Sequence, residues 1–386
     1  MTRTPASPNR GTIRRTGAVV VDALLPLGAV VAALLVGALV LLLLGKNPAL
    51  AYGAMFRGAF GSLSGITQTL AKATPLLLVG LGVIIAFRAQ VINIGGEGQL
   101  VVGALAATAC SLALRELPGW LLLPITALAG ALAGGLWGLV PGLLKARLDV
   151  NEILSTVMMN AIAVQLMNYL LRGPMLDPAQ VAAGTNIPQS AALPEAAWIV
   201  RLVPRTLFHA GFILALVLAV VVALLLWRTT LGYRIRAVGL SPSAARYAGI
   251  PVATITATSM VLSGCLCGLA GAVEVMGVHH RVVEGISGGY GFSGIVVALF
   301  GGLHPIGAIP AAVLFGGLLV GADQMQRTVQ VPAALITALN GLVVLMVVSS
   351  TYATQRRAAR RQSEAARPTA REAEGGPLDP QLTPDL

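Results

Sequence analysis

Ten stretches of this chain are apolar enough, and about long enough, to cross a lipid bilayer, and they leave little sequence for anything else. A helix rising 1.5 Å per residue needs roughly 20 apolar residues to span about 30 Å of hydrocarbon. The stretches are 19–44, 67–87, 99–115, 119–144, 153–171, 210–227, 252–276, 288–303, 306–322 and 331–351, of which 99–115, 288–303 and 306–322 are the short ones. Hydrocarbon offers no water to exposed N–H and C=O groups, so runs of this kind fold as helices. Charged residues make up only 11% of the chain, against about 25% in soluble domains. The expected fold class is therefore all-α and polytopic, with a tail over 1–18, a transmembrane domain over 19–352 and a disordered tail over 353–386. The first run is far longer than a signal-peptide core of about 7–15 residues, so it reads as an uncleaved span in spite of Ala49-Leu50-Ala51 behind it.

The short loops orient the chain. Of the 26 Lys and Arg residues, 17 fall in the two tails, at Arg88, at Lys145 and Arg147, or between Arg228 and Arg246. Basic residues accumulate on the cytoplasmic side, which places both termini there and leaves 45–66, 172–209, 277–287 and 323–330 outside. The net charge of +11 is spread over many loops, so it sets orientation and gives no nucleic-acid-binding face. The cluster Arg356, Arg357, Arg360 and Arg361 is a candidate contact for anionic membrane lipid. Cys265 and Cys267 lack a second ligand pair for a metal, and His279-His280 reads as a solvated loop pair.

Four motifs stand out. The first is Asn93-Ile-Gly95-Gly96-Glu97-Gly98-Gln99, three polar side chains among glycines between two apolar runs. Gly95, Gly96 and Gly98 let a helix break. Asn93, Glu97 and Gln99 then either line a polar path or cap a cytoplasmic turn. The second is Asp149 to Thr156, where Asp149 or Asn151 can accept hydrogen bonds from the first turn of the next helix, with Asn160 inside the span. In the third, 228–251, Ser241 or Ser243 can cap a short helix that ends near Gly249, and the small Ala244 and Ala245 leave a face for close docking. The fourth begins Gly288-Gly289-Tyr290-Gly291 before an apolar run, as Gly95 to Gly98 does. The two copies lie five spans apart, an odd number, which inverts the second half relative to the first. Glycine-interrupted helices at matching places in inverted repeats mark a substrate path, and Tyr290 joins its candidate residues.

Asn93 to Gln99, the run V-N-E-I-L-S-T-V-M-M-N at 150–160, and L-G-Y-R-I-R-A-V-G at 231–239 with the Ala-Ala and Gly-Ile of 244–250 together resemble the permease subunits of bacterial ABC importers. The resemblance is to the branched-chain amino-acid and sugar permease class, in its nucleoside branch, and covers about 20–350. Ile92 and Gly96 stand where that family usually has Phe and Ala. The resemblance implies ten helices in two inverted five-helix halves, in the bacterial plasma (inner) membrane. It implies a partner ATPase that binds and hydrolyses ATP, a second permease subunit, an external substrate-binding lipoprotein, and no cofactor or metal of the chain's own. Its substrate path would involve Asn93, Glu97, Gln99, Asn160 and Tyr290. The helix within 239–250 would couple to the ATPase, with Gly239, Ser243, Ala244, Ala245 and Gly249 as its candidate residues. The chain has no phosphate-binding Gly-x-x-x-x-Gly-Lys-Ser/Thr loop. An ion-coupled secondary carrier would share the repeats and the broken helix, but has no need of the 228–251 loop.

Overall fold

The structure, a computed structural model, describes residues 28–330 except 29, 30, 33, 44 and 186, together with 341 and 346. The expected spans 19–44 and 331–351 lie partly or wholly outside these residues, as do the two tails. The chain divides into Val40–Ala338 and a unit made of its two ends, Met1–Leu39 with Leu339–Leu386.

The helices are α1 (Leu34–Leu43), α2 (Pro48–Phe60), α3 (Leu63–Arg88), α4 (Gly96–Ala113), α5 (Gly119–Leu148), α6 (Glu152–Leu171), α7 (Pro178–Ala182), α8 (Gly211–Arg228), α9 (Thr230–Leu240), α10 (Pro242–Tyr247), α11 (Val252–Glu274), α12 (Tyr290–Phe300) and α13 (Pro305–Val329). Seven of them, α3, α4, α5, α6, α8, α11 and α13, are long and apolar enough to cross a membrane. The chain is an all-helical, multi-pass membrane protein. Two expectations change. The segment 45–66 is no plain connection, because it contains α2, whose first N–H groups bond the Asn47 side chain at 2.9 and 3.4 Å. The stretch 288–303 forms only the 11-residue α12, about 16 Å long, too short to span.

Glycine explains how these helices pack. Gly130, Gly134, Gly138 and Gly142 recur every fourth residue on α5, so they form one stripe. This stripe lies on α11: a Cβ on Gly134 would meet the backbone of Gly264 and Gly268, and one on Gly138 would stand 2.7 Å from the Met260 carbonyl. Without a hydrophobic drive between helices in lipid, backbone-close packing at small residues supplies the attraction. The opposite face of α5 carries the exposed Leu128, Leu132, Leu136 and Val140, as a lipid-facing surface should. Helix α3 runs through the centre, with residues 73–86 all buried.

Candidate functional site

The chain leaves α3 at Arg88, turns at Gln90 in the left-handed region (φ 59°), and runs back alongside α3 in non-helical conformation before α4 begins. A Cβ on Gly96 would stand 3.4 Å from both Val79 and Cys267, which are well inside α3 and α11. The start of α4 is thus level with a point nine residues before the end of α3, about 14 Å back along it. The polar motif sits deep between helices and is not a turn at the end of α3.

Its side chains hold this returning backbone. Asn93, wholly buried, donates to Gln99 Oε1 at 3.0 Å and to Ser263 Oγ at 2.8 Å, and its Oδ1 accepts from the Gly95 N–H at 2.9 Å. Asn160 Oδ1 accepts from the Gly98 N–H at 2.8 Å, and its amide donates to the Ile94 carbonyl at 3.0 Å. Asn93, Gln99 and Asn160, expected along a path, hydrogen-bond within this neighbourhood: Asn93 with Gln99, and Asn160 with the Gly98 N–H and the Ile94 carbonyl. Non-helical backbone at depth needs such partners, and the N–H groups of Gly95 and Gly98 and the Ile94 carbonyl find them here. The expected break also needs correction: Gly96 and Gly98 lie inside the first turn of α4, and Gly95 is its N-cap. Gly98 serves close approach, since a Cβ there would stand 3.0 Å from the Asn160 α-carbon.

Glu97 reaches across to the second glycine motif. Its Oε1 accepts from the Gly289 N–H at 3.2 Å and its Oε2 from the Gly291 N–H at 2.7 Å. These are orphan donors at the start of α12, which have no partner within the helix. Gly288 and Gly289 have φ of 50° and 78°, the left-handed region that favours glycine. They do break the chain ahead of α12. Gly291 lies within the first turn of α12, where a Cβ would overlap the Glu97 backbone and stand 2.5 Å from its Oε2. The two motifs that look alike in sequence therefore meet, with one carboxylate between two helix N-termini.

Beside this junction lies a cavity of about 370 Å³. Tyr290 and Gly288 form part of its wall, with Gln68 and Lys72 of α3 and Glu274 and His279 from the end of α11. Lys72 is held by Asp323 at 2.6 Å. His279 Nε2 lies 3.4 Å from Glu274 Oε1, so His279 is not merely solvated. His280 stacks on Trp198 with ring centroids 4.0 Å apart. Sequence reasoning passed over Lys72 and Glu274, although an ionisable residue inside an apolar span is itself the signal of a functional site. Among the described residues no three His, Cys, Asp or Glu side chains gather as a metal site.

At the other end, Ser241 caps α10 by accepting from the Ala244 N–H at 3.3 Å, and Gly249 turns the chain at φ 78°. Ser243 and Ala244 are exposed and Ala245 is buried. Leu240, the last residue of α9, and Tyr247, the last of α10, are 87% and 97% exposed. Gly239 belongs elsewhere: a Cβ there would run into the Arg88 carbonyl, so this glycine seats α9 against α3. Asn151 caps α6, accepting from Ile153 and Leu154 at 2.9 and 3.3 Å, while Asp149 pairs with Lys145 at 2.8 Å.

The model of the branched-chain amino acid transport system / permease component family matches residues 65–348. The guanosine ABC transporter permease protein NupP of Bacillus subtilis is 39% identical over 85% of this chain and 93% of its own length. The glucose ABC transporter permease protein TsgB13 of Haloferax volcanii is 37% identical over 85% of this chain and 87% of its own. The nucleoside ABC transporter permease protein NupB of Lactococcus lactis is 32% identical over 84% and 90%. No solved structure matches the chain. With its all-helical membrane architecture, a family match across most of its length and relatives that are ABC permeases, this chain belongs to the branched-chain amino acid transport system permease family and is a permease subunit of an ABC importer.

Proposed function

We propose that this permease carries a nucleoside inward through the plasma membrane, driven by ATP hydrolysed on a partner ATPase. The observation that carries the solute class is the 39% identity to a guanosine permease over 85% of the chain. A second relative in Bacillus subtilis, the guanosine ABC transporter permease protein NupQ, is 29% identical over 65% of the chain. Two different permeases named for one solute in one organism support a heterodimer of this chain with a second permease. An external lipoprotein delivers the solute. Both termini lie in the cytoplasm, as the basic loops favour, and the complete subunit has ten spans in two inverted halves. The meeting of Gly95 to Gly98 with Gly288 to Gly291 supports that symmetry.

The exposed Ser243, Ala244 and Tyr247 of α10, with Leu240 at the end of α9, dock on the ATPase. Gly249 ends that helix without the strain another residue would meet at positive φ. The test is uptake of radiolabelled guanosine by proteoliposomes holding the permease pair, the ATPase and the lipoprotein. ATP-dependent accumulation is expected. Tyr247→Asp should abolish accumulation and release the ATPase on gel filtration while the permease pair stays assembled. An importer that accumulates glucose and excludes guanosine defeats the nucleoside reading, and a fully coupled Tyr247→Asp importer defeats the docking role.

A further inference from the structure

The cavity beside the helix junction holds one group that the fold itself does not explain. Glu274 is 4% exposed. Its Oε1 has His279 at 3.4 Å, and its Oε2 has no hydrogen-bond partner among the described residues. Buried polar atoms are almost always partnered, and an unpartnered one asks for a cause. Helix electrostatics give none, because Glu274 ends α11, where the negative end of the dipole disfavours a carboxylate. From Val275 to His279 the chain continues as a π-turn, a distortion common at functional sites. The lining is otherwise mostly apolar, with Ala71, Leu207, Val278 and Ile286 among it. An apolar hollow of a few hundred Å³ with a few convergent polar groups is the general form of a small-molecule site.

We propose that this cavity is a solute site within the membrane path and that Glu274 is its acceptor for the vicinal hydroxyls of the sugar moiety. The inference rests on the nucleoside reading above. An ionised carboxylate is acceptor-only, so it selects a solute that brings donors and repels one that brings phosphate. Two hydroxyls on adjacent carbons match two carboxylate oxygens on one carbon: one bonds the unpartnered Oε2, the other shares Oε1 with His279. A bare cation fits poorly, because among the described residues Glu274 is the only carboxylate of the lining, and hard cations take six or more oxygens. Lys72, which also lines the wall, is already held by Asp323 at 2.6 Å. The apolar lining suits the flat face of a base.

The test uses the complete importer in proteoliposomes at saturating lipoprotein, with guanosine and 2′,3′-dideoxyguanosine compared as the ratio of variant to parent uptake. That ratio cancels the lipoprotein's own preference. Glu274→Gln is expected to lower guanosine uptake roughly tenfold or more, the scale of one lost charge-assisted hydrogen bond. Uptake of the dideoxy compound should stay within about twofold of the parent. If both solutes slow equally, Glu274 is structural and the proposal fails; if neither slows, it fails too. Should Glu274→Gln not assemble, Glu274→Asp, which keeps the charge one methylene short, is judged by the same two ratios. A parent importer that moves neither nucleoside overturns the nucleoside reading instead, and this site with it.

Discussion

Removal of the Glu97 carboxylate should unseat α12 from α4. In Glu97→Ala the N–H groups of Gly289 and Gly291 lose their acceptors, at 3.2 and 2.7 Å in the parent. Both donors sit at a helix start, where no intrahelical carbonyl is available. Glu97 itself is 8% exposed, so little water reaches the gap. Each buried unsatisfied donor costs about 1–3 kcal/mol, which sets the loss at the junction at about 2–6 kcal/mol. Glu97→Gln is nearly isosteric, yet its amide offers one oxygen and one NH₂ group. Whichever way it turns, one donor faces another, so it should recover no more than about half of the loss. The measurement is unfolding of the purified permease in mixed detergent and SDS micelles, followed by hydrogen exchange of the α12 amides. Exchange at Gly289 and Gly291 should rise most in Glu97→Ala. Equal unfolding free energy in parent and Glu97→Ala would refute the capping role and return Glu97 to the polar path suggested by sequence. Loss of uptake alone decides nothing here, since either role predicts it.

Two further outcomes follow from the packing and from the outer loops. Gly134→Leu should prevent α5 from closing on α11, because even a Cβ at that position meets the Gly264 and Gly268 backbone; overpacking of this kind typically costs about 1–3 kcal/mol or more, and assembled protein recovered from membranes should fall severalfold. His209 is buried, and desolvation, with His280 and Arg201 nearby, lowers its pKa to about 4. The unfolded chain then binds the proton first, so stability falls as pH drops from about 6.5 towards 4, by at most about 3 kcal/mol. His209→Asn, whose side-chain oxygen can still accept from Gly211 as Nδ1 does at 3.1 Å, should flatten that slope in denaturation measured at several pH values.

The apolar runs announced α3, α5, α6, α8, α11 and α13 because length and hydropathy are local properties. The caps of α6 and α10 were legible for the same reason, as Asp149 or Asn151 and as Ser241 or Ser243, because a cap and its helix are adjacent in sequence; the structure selects Asn151 and Ser241. Helix α2 was missed because Pro48–Phe60 is mildly apolar and short, and its reason for being helical is packing against α13, where Gly321 approaches the Met55 carbonyl. The role of Glu97 lay beyond any local rule, since its acceptor sites are filled by amides 192 and 194 residues away. The glycine motifs showed that the chain would be irregular at two places; they did not show that the two places coincide. Glu274 was hidden by its setting at the end of a long apolar run, where a single acid reads as a boundary.

The junction also answers why a carboxylate can stand so far from water. Each helix N-terminus carries the equivalent of about half a positive charge on its unpaired N–H groups. Here two such ends, those of α4 and α12, converge on one site, because Gly291 lets the backbones approach where any Cβ would collide with Glu97. Two half-charges and one carboxylate sum to roughly zero. The charge is therefore offset by the Gly289 and Gly291 N–H groups at hydrogen-bonding distance and by the positive end of α4, on whose first turn Glu97 stands. Without the carboxylate the two helix ends would repel and leave donors unpaired; without the two ends the carboxylate would carry the full penalty of a buried ion. Glu274, a neighbour of the same cavity region at the far end of α11, lacks both compensations. The two acids thus differ by what surrounds them: each oxygen of Glu97 is bonded by the start of α12, whereas Glu274 keeps one oxygen without a partner among the described residues, free for the donor of a solute.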